Sequence, residues 1–327
     1  MPFLRRALNP VREARGWSAV AIWLGVALTL LFVVLAIFAP FIAPYGPTQY
    51  QGIPGDAPPS AAHIMGTTKL GYDVFSRVVY GARYALLVVL LATVVAMGIG
   101  VPTGLISGYT GGKLDRVLVM LMDAIYAFPG LLLAIVIAFV ARQRLASVLH
   151  LGVVATGLVG AALAISVIYV PQYYRVVRNH VISVKEEPYV EAARALGARP
   201  WTVIRRYIFV NVVQSVPVIF TLNAADAILT LAGLGFLGYG LHPPTPEWGW
   251  DLSKAIGAAT SGIWWQALYP GLAITLLCTG LTLLGEGLND VVNPLLRSRG
   301  AAAGPAAVPS AMPEVGAKPT KTGTGRP

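Results

Sequence analysis

Six long apolar runs dominate this chain, over residues 20–43, 84–108, 117–141, 146–170, 207–236 and 264–288. A helix needs about 20 mainly apolar residues to cross ~30 Å of hydrocarbon, and its backbone polar groups must be satisfied within the segment itself. Runs of this length therefore predict an all-α, polytopic membrane protein with about six transmembrane helices. Composition agrees. Of 327 residues only 12% are charged, and mean hydropathy is +0.69, whereas soluble domains carry roughly 25% charged residues.

The first run follows Arg5, Arg6, Arg12 and Arg15, the layout of a signal peptide. Its apolar stretch exceeds the roughly 7–15 residues of a cleaved h-region, so it reads as a retained helix. A net charge of +10 raises the question of nucleic acid, but Lys and Arg are distributed between the apolar runs, which is a topology signal rather than a nucleic-acid footprint. With the N-terminus inside, 18 of the 24 basic residues fall on the cytoplasmic side. The expected order is a cytoplasmic tail (1–19), a first transmembrane helix (20–43), an extracytoplasmic segment (44–83), the main transmembrane domain (84–296) and a cytoplasmic tail (297–327). Pro, Gly, Ala and Thr dominate that tail and predict disorder. The segment 44–83 is too short for an independent binding domain, so any external substrate receptor is a separate chain.

Cys278 is the sole cysteine and sits in an apolar run, as a small packing residue. His63, His150, His180 and His242 lack ligand-type spacing, so no metal site is expected. The stretch Gly108 to Leu114 comes nearest to a phosphate-cradling loop, but its glycine spacing is wrong and Leu follows the Lys. Neither a zinc-protease H-E-x-x-H nor a G-x-S-x-G turn is present, which disfavours a membrane enzyme. Gly100, Gly104 and Gly108, four apart, predict a helix face that another helix can approach closely.

The most informative stretch is the loop of about 185–206. Pro188 suits the first position of a helix, Gly197 suits the residue just past a helix end, and Pro200 can open a second helix. Two short helices around a tight turn result, with Glu191 and Ala195 sharing a face and Ala192 and Ala193 keeping the surface low.

Glu191-Ala192-Ala193, followed at the same spacing by Gly197 and then Arg199, resembles the EAA motif of binding-protein-dependent ABC permeases. In that family the helix-turn-helix docks in a cleft of an ATPase subunit. Where the family pattern continues to Leu-Pro-Asn, this chain has Phe209, Val210 and Asn211. His63 to Arg77, the group Asp115, Arg116, Asp123, Phe128 and Pro129, Gly235 to Gly240, Pro243 to Gly249, and Leu284 to Asp290 are similar to the C-type subunits of dipeptide, oligopeptide and nickel permeases. Leu231 departs from a Glu frequent there. The resemblance covers about 20–297. It implies a permease in the cell membrane, surrounded by lipid, that works with a second homologous permease subunit, two ATPase subunits and an extracytoplasmic substrate-binding protein. ATP and Mg then belong to the ATPases, and the chain itself binds no cofactor and no nucleic acid. Peptides are the implied substrate, with nickel or another small solute as the alternative.

Ionisable residues within spans are costly and mark pathways or pairs. Asp226, expected to share a helical face with Asn223, either lines the route or pairs with a neighbouring helix. Asp123 and Glu286 lie nearer span boundaries, where interhelical or interfacial bonding is the simpler reading. An ATP-independent secondary transporter fits the spans equally well, but leaves the 185–206 loop unexplained.

Overall fold

The computed structural model describes residues 17–50, 55–148, 152–241 and 243–292. The basic N-terminal tail, His150, His242 and the Pro-rich C-terminal tail lie outside the described residues. Within them the chain is a helical bundle: α1 (Trp17–Ile37), α2 (Ala39–Ile42), α3 (Val74–Thr110), α4 (Gly112–Ala127), α5 (Gly130–Val148), α6 (Val153–Val184), α7 (Pro188–Ala195), α8 (Pro200–Val203), α9 (Phe209–Val212), α10 (Val216–Phe236), α11 (Trp248–Thr260) and α12 (Trp265–Val292). Five helical stretches are long and apolar enough to cross a membrane, and α4 with α5 makes a sixth if that bent pair is one span.

Three boundaries differ from the sequence reading. The run at 117–141 is broken by a 95° bend between α4 and α5 at Phe128 and Pro129. Proline disfavours helical backbone in the residue before it, and Phe128 is extended at ψ 140°. The run expected at 146–170 mixes the end of α5 with the start of α6, which continues to Val184. α3 begins at Val74, inside the segment taken as wholly external, because the Asp73 side chain caps it by accepting the Ser76 N–H at 2.7 Å. Arg77 and Arg83 concealed that start, since apolarity was the criterion.

The most extensive helix pairing joins α3 and α6. Its cause is the glycine stripe: a Cβ on Gly100 would lie 2.7 Å from the Val170 carbonyl, on Gly104 2.7 Å from that of Tyr174, and on Gly108 2.9 Å from that of Arg178. Backbone meets backbone along this seam, as small-residue spacing allows. Tyr169, Tyr173 and Tyr174 of α6 are fully buried beside it. Gly25 and Gly280 let α1 and α12 approach in the same way. The Cys278 Sγ lies 3.4 Å from the Ala225 carbonyl, a packing position between α12 and α10. Before α10 the helical path is uneven, with a widened turn at Ile204–Ile208 and a tightened one at Val213–Ser215.

Candidate functional site

The loop between α6 and α8 folds as its prolines and glycine require. Pro188 is the first residue of α7 and Pro200 of α8, positions where the missing N–H has no helical partner to lose. α7 ends when the Ala198 N–H donates to the Ala193 carbonyl at 3.0 Å and the Gly197 N–H donates to Arg194 at 2.9 Å. This closure needs a left-handed residue, and Gly197 supplies it at φ +82°. Arg199, exposed and extended at φ −63° and ψ 145°, leads into α8.

Glu191 and Ala192 are exposed on α7, whereas Ala193 is buried with Val190 against the bundle. The expected low surface is thus that of Ala192; the small size of Ala193 serves packing beneath it. Leu196, 88% exposed, and Trp201, 66% exposed, project from the turn and from α8. Sequence reasoning passed over both, although their placement beside a helix-ending glycine was a usable signal. Trp201 also lines an open hollow of about 430 Å³ with Thr202, Arg205, Arg206 and Val210.

The loop is tied to the bundle at its base. Lys185 Nζ donates to the Gly108 carbonyl at 3.1 Å, and the Arg194 guanidinium lies 5.2 Å from the Tyr109 ring centre, both at the end of α3. Asn211 Nδ2 donates to the Tyr189 hydroxyl at 3.0 Å. Nearby, Arg178 grips Asp115 with two bonds of 2.6 and 2.7 Å, and the Ser107 hydroxyl donates to the same carboxylate. Bidentate charged pairs of this kind fix orientation as well as distance, so α4 is clamped to α6 at the loop end. Asp123 pairs with Arg175 at 2.7 Å in an exposed position, in line with interhelical bonding, and Glu286 is exposed.

Deeper in the bundle, the Tyr169 hydroxyl donates to Asp226 Oδ2 at 2.8 Å and lies 3.1 Å from the Thr230 hydroxyl. Asp226 is exposed, between the exposed Leu222 and Leu229 on one face of α10. Asn223 does not share that face. It is buried beside Tyr173. Three residues leave about 60° between side chains at 3.6 residues per turn, enough to move Asn223 from the open face into the wall.

The opposite end is held by Arg77. Its guanidinium meets Asp251 at 2.6 Å and donates to the Pro47 and Pro244 carbonyls at 3.1 and 3.2 Å, joining segments 174 residues apart. Trp248 Nε1 donates to the Val78 carbonyl at 3.0 Å, and Trp265 and Gln266 both donate to Thr67. Glu247 is buried where a Cβ on Gly235 or Gly240 would collide with its carboxyl. Burial, with Asp251 nearby, pushes that carboxyl well above the usual carboxylate range. The result is a braced platform of 44–50, 55–73, 237–241 and 243–264 at this end.

A membrane-embedded helical bundle carrying a helix-turn-helix knob at one end and a braced platform at the other defines a membrane permease component. The chain belongs to the family described as binding-protein-dependent transport system inner membrane component, which matches residues 100–298. It is 34% identical over 270 residues to the glutathione transport system permease protein GsiD of Pectobacterium atrosepticum, covering 82% of this chain and 85% of that one. The dipeptide transport system permease protein DppC of Haemophilus influenzae is 34% identical, covering 84% and 90%, respectively. DppC of Alkalihalophilus pseudofirmus is 36% identical, covering 89% and 92%.

Proposed function

We propose that this chain is the permease subunit of an ATP-driven importer of di- and oligopeptides, and that the loop around Gly197 is where ATP hydrolysis is coupled to it. The observation that carries the reading is the knob itself: a glycine-closed turn that presents Leu196 and Trp201 and is fastened to α3 through Gly108 and Tyr109. Glu191, Ala192 and Arg199 form its outward surface and Ala193 its support. Two ATPase subunits, which hold ATP and Mg, dock there. Their closure pushes the knob and, through the clamped ends of α3, α4 and α6, shifts the bundle between two access states. The peptide assignment is supported by relatives whose names specify dipeptide and glutathione transport.

A second permease subunit completes the pathway, and the exposed Leu222, Asp226 and Leu229 stripe on α10 faces the route, with Asn223 in the wall behind it. An external binding protein delivers substrate to the braced platform. This orientation rests on the partition of basic residues. It makes both termini cytoplasmic, so a terminal tag stays unlabelled in intact cells while a tag near residue 48 is labelled; the reverse pattern overturns it.

Reconstituted with its partners, the wild-type complex is expected to accumulate labelled dipeptide only when ATP is available to the ATPases. Asp226→Asn keeps hydrogen-bonding capacity and removes the charge, so it should assemble normally and transport at about one-tenth the rate or less, a loss of ~1.4 kcal/mol in transition-state stabilisation. Normal uptake per assembled complex removes Asp226 from the route. Uptake without any ATPase present favours a secondary transporter instead.

A further inference from the structure

We infer that the groove between α1, α3 and α10 is a binding site for one anionic phospholipid, with its phosphate on Arg83 and an acyl chain along the groove. The hollow measures about 520 Å³, and its walls include Val33 and Ile37 of α1, Leu86 and Leu90 of α3 and Phe220 of α10. Ile37 and Leu90 are more than half exposed, so the groove opens sideways from the bundle rather than into its core. Arg83, also exposed, stands at its rim. Among the described residues Arg83 has no ion pair or hydrogen bond, in contrast to Arg77, whose guanidinium is fully engaged.

Dimensions and charge select the occupant. From Arg83 to Thr93, the lowest α3 residue in the wall, the groove descends ten residues, or about 15 Å at ~1.5 Å per residue. That is one leaflet of a hydrocarbon core ~30 Å thick. Antiparallel α1 gives a similar measure, since its wall residues extend from Ile37 to Thr29, eight residues or about 12 Å. Arg83 immediately precedes the apolar run that begins at Tyr84, the level at which a headgroup phosphate meets the hydrocarbon. A cation at headgroup depth over an apolar groove one leaflet deep matches the two halves of a phospholipid. A second protein helix would fill the groove but would place no anion at Arg83 unless it carried an acid there.

Phosphatidylglycerol is the probe. The full complex is purified from nanodiscs containing equal phosphatidylglycerol and phosphatidylcholine, and retained lipid is quantified by native mass spectrometry. Wild type is expected to retain phosphatidylglycerol selectively. Arg83→Gln, an exposed change, is expected to lower that retention about fivefold, the scale of one basic side chain at an anionic surface. Leu90→Trp, which fills the groove, should displace both lipids while Arg83 remains. Inorganic phosphate should not compete. Three results overturn the assignment: Arg83→Gln retaining phosphatidylglycerol like wild type, displacement by phosphate alone, or a photocrosslinker at residue 90 capturing the second permease subunit in place of lipid.

Discussion

Replacing Gly197 with Val is expected to abolish transport while leaving membrane insertion intact. A Cβ at this position would meet no atom within 4 Å, so the effect does not come from crowding. It comes from the backbone: φ is +82°, and an L-residue pays about 1–2 kcal/mol to hold a left-handed conformation, with β-branching adding to that cost. The bond from the Ala198 N–H to the Ala193 carbonyl is then lost, and α8, with Trp201, leaves its direction. Gly197→Asn, which tolerates positive φ better, should recover much of the activity. Glu191→Lys probes the same surface differently, since it is an exposed change that spares the turn and reverses a charge at the proposed ATPase contact. Complexes carrying each variant can be scored for ATPase retention, ATP hydrolysis and peptide uptake. If Gly197→Val and Glu191→Lys both retain the ATPases and transport at the wild-type rate, the coupling assignment fails.

Gly104→Val should prevent recovery of a folded complex. The new Cβ would lie 2.7 Å from the Tyr174 carbonyl and 3.0 Å from the Val177 Cβ, and a backbone carbonyl cannot rotate aside as a side chain can. Forcing α3 from α6 costs roughly 1–3 kcal/mol in overpacking, before the loss of other contacts along the seam. Gly98→Ala is the internal control. It lies on the same helix, its added methyl meets nothing within 4 Å, and it should gain up to about 1 kcal/mol from helix propensity. Detergent-solubilised yield and thermal midpoint separate the two. Equal stability of Gly104→Val and wild type would mean that the seam opens without penalty.

The membrane bundle and the turn at Gly197 were legible because their causes are local. Apolar length reports a span directly, and Pro188, Gly197 and Pro200 each act through their own backbone. The α3 and α6 seam was half legible: the glycine stripe announced a close partner without saying which helix it was. What escaped depended on facts that a linear reading does not contain. Phe128 and Pro129 sit inside an apolar run, so hydropathy passed over a break made by sterics. Asn223 and Asp226 were grouped by spacing, yet a rotation of about 60° was enough to bury one and expose the other. Ala193 turned inward for a related reason, since an Ala suits either side of a short helix. Arg77 counted as one external charge among several, and its pairing with Asp251 had no sequence signal at a separation of 174 residues.

The glycine stripe also bears on how the two ends of the bundle are linked. Gly100, Gly104 and Gly108 lie directly against α6 carbonyls and the Cβ atoms of Tyr173, Val177 and Val181, so a shift along α3 and α6 would drive these atoms into one another. The two helices form a strut. α3 alone is 37 residues, about 55 Å at ~1.5 Å per residue, with Tyr109 under the knob at one end and Arg77 in the platform at the other. Breaks in helical geometry lie at Phe128 and Pro129 and in the uneven turns before α10, while Pro102 and Pro171 interrupt the hydrogen-bond ladders of α3 and α6 themselves. α3 thus places the knob and the platform at the two ends of one continuous helix, so that a tilt of that helix moves both.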